Sequence, residues 1–478
     1  MTAPEIENRS TQVVIVGSGF SGVAMATALR KAGITDVVIL ERAASLGGTW
    51  RDNAYPGCAC DVESVLYSLS FVPNPDWSRA FSPQPEIREY LDRVAREHDV
   101  VRLIRFNENV TGAVFDERSA RWTISSSSGA WTAAALVLAN GALSDPRIPE
   151  LPGLQEFAGP AFHTAQWDHR VALAGKRVAV IGTGASAIQV IPAIQPLVSQ
   201  LTVFQRTPSW VMWRHDRPIP AWQRALFRRV PIVQRALRLA QYLRHELLFL
   251  PFRHPWARRI AEAVIGRHLT RQGRDPALRE ALTPRYAIGC KRLLLSDDYY
   301  PAMAQPNVSL VTGAITRIAP HGVVTADGRT HDVDVLVLAT GFRVTDWLLA
   351  PVIRGRGGRT LADAWQGSPK AYMGTTVAGF PNLFTLMGPN TGLGHSSVLM
   401  MVESQIRHVT QLLAMTAQRG ARVAEPTAEA QARFVRWMDE SLATTVWNRG
   451  GCSSWYLDRT GRNSALWPFG VGKFRRTV

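Results

Sequence analysis

The chain has 478 residues, of which 46% are hydrophobic and 19% charged, so it is long enough for two or three domains with apolar cores. Its formal net charge is +16, but no nucleic-acid-recognition motif accompanies that charge, so nucleic acid is not an expected partner. The N-terminal stretch is polar and no run of about 18 apolar residues occurs, so neither a signal peptide nor a membrane-spanning helix is expected.

Four cysteines occur in the chain, at Cys58, Cys60, Cys290 and Cys452. They are too few and too scattered for a scaffold built on disulfides, so we expect a reduced, cytoplasmic protein. The one close pair, Cys58 and Cys60, has a single residue between its members, which is tighter than the usual spacing of zinc ligands. No metal site is therefore predicted.

A strand followed by a glycine-rich turn opens the chain. Residues 12–16 (QVVIV) predict a buried strand, and GSGFSG follows at 17–22, before an apolar helix and a second strand, VVILER. In this G-x-G-x-x-G turn, Gly17 permits the tight turn and Gly19 lets a pyrophosphate approach the backbone. Gly22 lets the helix pack closely on the strand, and the first helix amides then face the phosphate.

An acidic residue ends the second strand of this unit. Glu41 lies about 20 residues after the turn, where a carboxylate binds ribose hydroxyls. An acid in that place suits an unphosphorylated ribose, as in FAD or NAD. Further contacts to this cofactor are predicted from residues in and around the unit: Phe20, Ser21, Arg42, Tyr67 and Val110.

The loop after this unit reads GGTWRDNAYPGCACD over residues 47–61. Its glycines, its tryptophan and its final acid indicate a second backbone segment that lies along a flavin. A structural loop with aromatic packing explains the same residues equally well. The residues assigned to the cofactor from this loop are Gly48, Thr49, Trp50 and Asp61.

A second strand, turn, helix and strand unit begins at Lys176 and reads KRVAVIG, TGASAIQVIPAI and LTVFQR. The turn has the form G-x-G-x-x-A, and its residues are Gly182, Thr183, Gly184, Ala185, Ser186 and Ala187. No carboxylate ends the second strand, where Gln205, Arg206 and Thr207 stand instead. The guanidinium fork of Arg206 and the hydroxyl of Thr207 suit a phosphate, so this site is predicted to prefer NADPH over NADH.

These units predict an α/β fold with two Rossmann-like dinucleotide-binding domains, one for FAD and one for NADP. We place the first part of the FAD domain at 1–150 and the NADP domain at 151–330. The second part of the FAD domain and a C-terminal substrate-lid region follow at 331–478. A basic helical insert interrupts the NADP domain at about 214–290.

The insert carries most of the charge imbalance. The segment from Arg214 to Arg292 holds 18 Lys or Arg residues and 5 Asp or Glu residues, and its apolar residues recur at helical spacing. One interpretation is a solvated helical insert near a phosphorylated cofactor. The alternative is peripheral attachment to a membrane surface of anionic lipid.

Two dinucleotide sites in one chain imply that a hydride passes between two rings, so the connector between the domains must hold those rings together. The connector reads F-x-G-x-x-x-H-x-x-x-W-D, in the order Phe157, Gly159, His163, Trp167 and Asp168. With this motif and the loop at 47–61, the chain resembles the class B flavoprotein monooxygenases, and within them the type I Baeyer–Villiger monooxygenases. The ATG motif at 339–341 is similar to theirs as well.

The resemblance extends over nearly the whole chain and has consequences for the connector. Flavin-containing monooxygenases that oxidise nitrogen and sulfur usually carry Tyr or Phe where Trp167 stands, so the tryptophan favours the Baeyer–Villiger group. The resemblance implies that His163, Trp167 and Asp168 form a hinge between the domains. A plain packed linker is the alternative for this segment.

The resemblance also implies a reaction. NADPH reduces FAD, O₂ adds to give a flavin peroxide, and its anion attacks a ketone to give an ester or lactone. The family's essential arginine follows a lysine, which places it at Arg292 and gives Lys291 the cofactor phosphate. Asp61 is implied to orient Arg292, and Trp455 to bind the NADP ribose, although a core tryptophan is also considered.

Two other functions remain compatible with the motifs. The same flavin intermediate, when protonated, oxidises sulfur or nitrogen, and a redox-sensing flavoprotein without turnover would keep both cofactor sites. The stretches LLLSDD after Arg292 and LDRTGRNSALWPF after Trp455 depart from the better-known members and resemble a less-studied branch. These departures leave the ketone, the regiochemistry and the oligomeric state open.

Overall fold

The structure, a computed structural model, describes residues 8–272 and 275–478, so most of the polar N-terminal stretch lies outside the described residues. The strands of the described residues run in chain order as β1 (Asn8–Val16), β2 (Val37–Leu40), β3 (Ile104–Arg105), β4 (Val110–Asp116), β5 (Arg121–Ser126), β6 (Gly129–Leu138), β7 (Ala161–His163), β8 (Arg177–Ile181), β9 (Gln200–Phe204), β10 (Val211–Met212), β11 (Leu294–Leu295), β12 (Val308–Val311), β13 (Ile315–Ala319), β14 (Gly322–Thr325), β15 (Thr330–Asp332), β16 (Val335–Leu338), β17 (Ile353–Arg354) and β18 (Leu383–Thr385).

The α-helices of the same residues are α1 (Phe20–Lys31), α2 (Thr49–Asp52), α3 (Gln84–Glu97), α4 (Ala187–Ile194), α5 (Ala221–Arg229), α6 (Pro231–Leu247), α7 (Leu250–Arg253), α8 (Pro255–Gln272), α9 (Pro276–Leu282), α10 (Tyr299–Met303), α11 (Leu361–Trp365), α12 (Val398–Gln418), α13 (Ala428–Ala443), α14 (Val446–Arg449) and α15 (Val471–Thr477). No helix of the described residues is long and apolar enough to cross a bilayer.

The first sheet has the strand order β17-β4-β5-β6-β1-β2-β3, and β18 also pairs with β6. β1 lies between β6 and β2 and runs parallel to both. Its residues Val13, Val14 and Ile15 are fully buried, because helices and the other sheet strands cover both faces of this apolar run. β17 and β18 come from late in the chain, so the first domain is discontinuous: the chain leaves it for the second domain and later returns to it.

The second sheet is parallel throughout and has the strand order β12-β9-β8-β16-β7. β16 pairs with β8 in this sheet, with Val335 opposite Val178. The chain therefore leaves the second domain after Leu338, at the ATG motif, which is later than the boundary at residue 330. The two predicted Rossmann-like units each form the centre of one sheet.

The helical insert comprises α5 to α9, between Ala221 and Leu282. α8 lies against β10, α9 and α10, and so belongs to the second domain by its packing. α6 instead reaches the first domain, where its Arg238 guanidinium donates to the carbonyl oxygen of Val65 at 2.7 Å. The insert thus spans both domains and is more than a solvated appendage of the second one.

Cys290 and Cys452 form a disulfide, which corrects the expectation of a fully reduced protein. The two residues are 162 positions apart, yet the fold brings their Cα atoms within 6.1 Å. Their sequence spacing carries no sign of this pairing, because it results from the C-terminal tail packing on the end of the insert. Cys58 and Cys60 are free and buried.

Candidate active site

The first glycine-rich turn forms a narrow backbone cradle between β1 and α1. Gly17 has a φ of +103°, and a Cβ atom on it would lie 2.8 Å from the carbonyl oxygen of Ala139. A Cβ on Gly22 would lie 1.9 Å from the carbonyl oxygen of Gly17. A Cβ on Gly48, in the following loop, would lie 3.1 Å from the Cα atom of Gly19. Larger residues would fill this cradle, whose position at the start of α1 fits a pyrophosphate.

Glu41 is buried directly beside this turn. Its Oε2 accepts hydrogen bonds from the Ser18 backbone N at 2.9 Å and the Ser18 hydroxyl at 2.7 Å. Its Oε1 accepts from the Ala43 backbone N at 3.0 Å and from Arg51 Nη1 at 2.9 Å. Burial raises the pKa of Glu41, but these hydrogen bonds and the charge of Arg51 outweigh burial and leave it below its ordinary value. The carboxylate of Glu41 therefore stays ionised and holds the turn through Ser18. Its ion pair with Arg51 could not be read from the glycine motif.

Three aromatic residues assigned to the first cofactor lie together near the cradle. Trp50 Nε1 donates to the Tyr67 hydroxyl at 3.0 Å, and their ring centroids are 5.6 Å apart. Phe20 begins α1, and its ring centroid is 5.5 Å from that of Tyr67. Ser21 follows in the first turn of α1, and Thr49 begins α2. The structure thus brings the loop at 47–61 and the first turn together.

Arg42 and Val110 stand at the edge of this site. The Arg42 guanidinium donates to the carbonyl oxygen of Ser144 at 2.8 Å, in the crossing between domains. Val110 begins β4, two residues after Glu108, whose backbone N donates to the carbonyl oxygen of Glu41 at 2.8 Å. Val110 therefore lies near the ribose end of the predicted site and apart from the aromatic group.

The second turn repeats the first with a more open middle. Gly182 has a φ of +116°, and a Cβ on it would lie 2.4 Å from the carbonyl oxygen of Ala339. A Cβ on Gly184 would have no described heavy atom within 4 Å, so the backbone is open to a ligand there. The Thr183 hydroxyl donates to the carbonyl oxygen of Thr207 at 3.0 Å and ties the turn to the strand end. The turn leads into α4 through Ala185, Ser186 and Ala187.

The strand after the second turn ends among cations. Gln205 is buried, and its Nε2 donates to the carbonyl oxygen of Ala281 at 2.8 Å. Arg206 is exposed and lies close enough to Lys291 to affect its titration: burial lowers the pKa of Lys291, and the charge of Arg206 lowers it further. Within the described part of the chain no carboxylate pairs with either cation. Two neighbouring cations without an acid fit a phosphate group.

Arg292 and Asp61 meet between the two domains, although they are 231 residues apart. Arg292 Nε donates to Asp61 Oδ2 at 2.8 Å, and Arg292 Nη2 is 2.6 Å from the same oxygen. The two side chains are 29% and 27% exposed, so a ligand in the cleft can reach them. The Asp61 carboxylate raises the pKa of Arg292 above its ordinary value, and this effect exceeds the opposing effect of burial. Asp61 thus holds the Arg292 cation in a fixed position at a partly buried site.

A second contact between the domains involves a residue that the motifs did not indicate. The Tyr55 hydroxyl donates to Gln189 Oε1 at 2.9 Å, and Gln189 Nε2 donates to the carbonyl oxygen of Ala59 at 3.0 Å. Gly57 has a φ of +80°, and a Cβ on it would lie 2.5 Å from the carbonyl oxygen of Gln189. The loop at 47–61 therefore rests on α4 of the second domain. A lone amide side chain in the apolar helix AIQVIPAI is the signal that could have found Gln189.

The C-terminal tail lies over the Arg292 region. Trp455 is 43% exposed, which excludes the core position considered for it. The next residue, Tyr456, is buried, and no described atom partners its hydroxyl. Burial raises the pKa of Tyr456 to about 12, and the charge of Arg292 acts against that rise, which places the two side chains near each other. Tyr456 is a site residue that sequence reasoning missed.

The predicted hinge forms β7 and the turn after it. His163 ends β7 and is buried; its Nδ1 accepts from the backbone N of Ala165 at 3.1 Å. The ring of Trp167 lies edge-on to Phe162, with centroids 5.0 Å apart. Asp168 is half-buried and pairs with Arg170 at 2.8 Å, a contact that lowers its pKa to about 2. These three residues share one connector, and their role in domain movement stays a prediction.

The two cradles, the aromatic group and the neighbouring cations Arg206 and Lys291 have the chemistry of two dinucleotide sites. Among the described residues, no group of three or more His, Cys, Asp or Glu side chains is placed to hold a metal ion. The fold and the site together place this chain in the class of proteins that have two dinucleotide-binding domains.

Comparison with known proteins gives the family. Residues 10–354 match the family described as flavin-binding monooxygenase-like. A Baeyer-Villiger monooxygenase of Streptomyces coelicolor is 48% identical, over 100% of this chain and 92% of that protein. One of Pseudomonas aeruginosa is 46% identical, over 98% of this chain and 89% of that protein. The chain belongs to the flavin-binding monooxygenase-like family, and the resemblance to Baeyer–Villiger monooxygenases is confirmed.

Solved structures agree with the predicted fold. An oxidised steroid monooxygenase bound to NADP has a TM-score of 0.88 and 35% identity, covering 98% of this chain and 96% of that one. A cyclohexanone monooxygenase from Rhodococcus sp. Phi1 bound to NADP⁺ has a TM-score of 0.89 and 31% identity, covering 98% and 97%. The prediction of an α/β fold with two dinucleotide-binding domains is confirmed.

Proposed function

We propose that this chain is an FAD-dependent monooxygenase that uses NADPH and O₂ to convert a ketone into an ester or lactone by Baeyer–Villiger oxidation. The observation that carries the proposal is the ion pair of Arg292 with Asp61, which joins the loop of the FAD domain to the segment after the insert. The relatives named as Baeyer-Villiger monooxygenases match at least 98% of this chain, which supports the same reaction here.

FAD is assigned to the first cradle. The backbone between β1 and α1 would hold the pyrophosphate, Glu41 at the end of β2 would lie on the ribose side, and Trp50 and Tyr67 would line the flavin end of the site. When bound and reduced, FAD supplies the activation of O₂ for insertion next to a carbonyl. The aromatic group excludes water from that end of the site, which strengthens electrostatic interactions there.

NADPH is assigned to the second turn. Gly184 leaves the backbone open to the pyrophosphate, and Arg206 with Lys291 binds the phosphate on the adenosine ribose. Trp455, which is exposed on the tail next to Tyr456, would contact the NADP ribose, as the family resemblance implies.

Arg292 is the residue that the reaction depends on most. Its guanidinium is cationic at any working pH, and Asp61, from the loop of the first domain, holds it in place. A preoriented cation in that place stabilises negative charge as it develops on reacting oxygen atoms. Asp61 acts as a positioning residue, because it binds two guanidinium nitrogens through one carboxylate oxygen.

The test is product analysis with FAD-loaded protein, NADPH and ¹⁸O₂ against a panel of ketones and, separately, an aryl sulfide. We expect an ester or lactone that carries one labelled oxygen, formed in proportion to the NADPH consumed. Sulfoxide as the only product would instead establish heteroatom oxygenation. Absence of any labelled product across the panel, with NADPH still reducing the flavin, would favour a redox-sensing flavoprotein.

A further inference from the structure

One side of α6, which we call its inner side, is hydrogen-bonded to the first domain, so the opposite side of the helix points away from that domain. Gln234 Nε2 donates to the carbonyl oxygen of Asn74 at 2.6 Å, and Arg238 Nη1 donates to the carbonyl oxygen of Val65 at 2.7 Å. Side chains that point away from these two contacts form part of what we call the outer face, meaning the exposed side chains of α6, α7 and α8. Only at the C-terminal end of α6 does the tail reach the helix from another side, where Glu246 Oε1 accepts from the backbone N of Val471 at 2.9 Å.

The outer face is apolar along α6. Four large aliphatic side chains are exposed at spacings of seven, four and four residues, which places them on one stripe of the helix: Ile232, Leu239, Leu243 and Leu247. Their exposed fractions run from 52% to 67%. A helix of a globular domain normally turns such a stripe toward a core. Here the stripe faces solvent, and a second side of the helix contacts the protein through the polar Gln234 and Arg238 and through Val233 and Leu237, which pack against the core.

The same pattern continues through α7 into α8. Leu248, just after α6, and Leu250, the first residue of α7, are exposed. On α8, Trp256, Ile260 and Val264 are exposed at intervals of four residues. The described part of the chain exposes twenty large apolar side chains, and eleven of them lie between residues 222 and 264. An apolar surface concentrated in this way marks an interaction site.

The charges of the outer face have one sign. Residues 221–272 hold eleven arginines and no lysine, and their only acids are Glu246 and Glu262. Both acids are used internally: Glu246 accepts from Val471, and Glu262 accepts from the backbone N of Ile288 at 3.0 Å. Six exposed arginines of this segment have no carboxylate partner within the described residues: Arg229, Arg235, Arg253, Arg259, Arg267 and Arg271.

We propose that the outer face of α6, α7 and α8 docks on a membrane surface that contains anionic phospholipid. Exposed leucines and tryptophan enter the boundary between headgroups and acyl chains, and the arginines bind lipid phosphates. A second copy of the chain would place unneutralised arginines against arginines, which costs binding energy. An acidic nucleic acid would leave the apolar stripe without a partner. Anionic lipid is the partner that matches both features.

The experiment is vesicle flotation of the FAD-loaded, full-length protein, which requires no ketone turnover and so is independent of the proposed reaction. Vesicles of phosphatidylcholine alone are compared with vesicles of phosphatidylcholine and phosphatidylglycerol. We expect flotation only with the anionic vesicles, and weaker flotation as salt screens the arginines. Failure of the wild-type protein to float with anionic vesicles would overturn the proposal.

Two variants identify the surface. Leu239→Ser combined with Leu243→Ser and Trp256→Ser should reduce vesicle binding about ten-fold or more, because each apolar side chain contributes to insertion. The matched control, Leu197→Ser with Met415→Ser, replaces apolar side chains exposed elsewhere and should float like the wild type. Equal binding of the triple variant and the wild type would overturn the proposal.

Two further measurements keep the interpretation unambiguous. The melting temperature and NADPH consumption of the triple variant, without vesicles, should match those of the control, since the changed side chains lie away from both cradles. Light scattering reports the oligomeric state in the same buffer. If the wild type is a dimer that does not bind vesicles and the triple variant is a monomer, the outer face binds a second copy of the chain instead.

Discussion

Lys291 and Arg292 are adjacent in the chain and carry the same charge, yet their surroundings are opposite. Lys291 lies beside another cation, Arg206, and both burial and that cation lower its pKa. Arg292 lies against the Asp61 carboxylate, which raises its pKa. One cation is left without an acid and is suited to the anion of a ligand. The other is balanced within the protein and keeps its charge and position whatever is bound.

Two adjacent residues therefore have different roles: Lys291 is suited to binding the cofactor phosphate, and Arg292 is suited to stabilising charge during the reaction. A cation reserved for a phosphate gains most if no protein acid competes for it. A cation that must support charge on reacting atoms gains most from a fixed partner, because its orientation is then set before the reaction begins. Variants of Arg292, Arg206 and Lys291 test each half of this division, and reduction of the disulfide tests the bond that anchors the same segment.

Removal of the paired cation should have the largest effect. Arg292→Ala is expected to lower ester formation about 100- to 1,000-fold, the usual loss when a charge-stabilising group is deleted. Flavin reduction by NADPH should persist, because both cradles remain. Stopped-flow absorbance of the flavin and chromatography of the product measure the two steps separately.

The matched control for Arg292 is Arg285→Ala, which removes an exposed arginine of the same segment that pairs with Glu280 at 2.6 Å. It should leave both steps near wild type. Asp61→Asn should lower ester formation less than Arg292→Ala does, since the cation remains but loses its orientation. Ester yields of Arg292→Ala close to wild type would remove the assignment of Arg292.

Loss of the disulfide should have the next largest effect, on stability. Breaking the bond between Cys290 and Cys452 is expected to cost about 2–4 kcal/mol, because the reduced unfolded chain gains the freedom of a long loop. Thermal unfolding with and without dithiothreitol measures this difference. The shift should vanish in the double variant Cys290→Ser with Cys452→Ser, and a wild type insensitive to the reductant would contradict the prediction.

Local patterns in the sequence predicted the parts of this molecule that depend on near neighbours. Both glycine-rich turns, their flanking strands and the charge difference between Glu41 and Arg206 follow from short-range spacing, because each unit folds within about 30 residues. The pairing of Arg292 with Asp61 followed only from the family resemblance, since no periodicity connects residues so far apart.

The parts that could not be predicted depend on distant packing. The burial of Tyr456 near Arg292 and the bond from Cys290 to Cys452 arise only when the tail packs on the rest of the chain. The anchoring of α6 on the first domain is of the same kind, because Gln234 and Arg238 donate to carbonyl groups of segments far away in the sequence. Hydrophobic periodicity therefore indicated the helix but not which side of it faces the protein.

Removal of the unpaired cation should act on cofactor choice. Arg206→Ala is expected to weaken NADP⁺ binding about 10- to 100-fold, the loss associated with charged hydrogen bonds to a phosphate. NAD⁺ binding should change little, because it lacks that phosphate. Fluorescence titration with both nucleotides gives the two dissociation constants, and an unchanged ratio between them would remove the phosphate role.

The smallest effect expected concerns the pH dependence of Lys291. Burial and Arg206 hold its pKa below the ordinary 10.5, so in the free protein it loses its proton earlier than an exposed lysine. A bound phosphate favours the protonated form, so affinity for NADP⁺ is full below that pKa and falls as the pH rises through it. We expect a loss of less than about ten-fold, since Arg206 remains charged throughout.

Titrations of NADP⁺ and NAD⁺ across the alkaline range test this dependence. The Lys291→Arg variant is the control, because a guanidinium keeps its charge over the whole range and its NADP⁺ affinity should stay flat. NAD⁺ affinity should stay flat in both proteins. Parallel NADP⁺ profiles for the wild type and Lys291→Arg would mean that Lys291 does not face the phosphate, and the contrast with Arg292 would then rest on Arg206 alone.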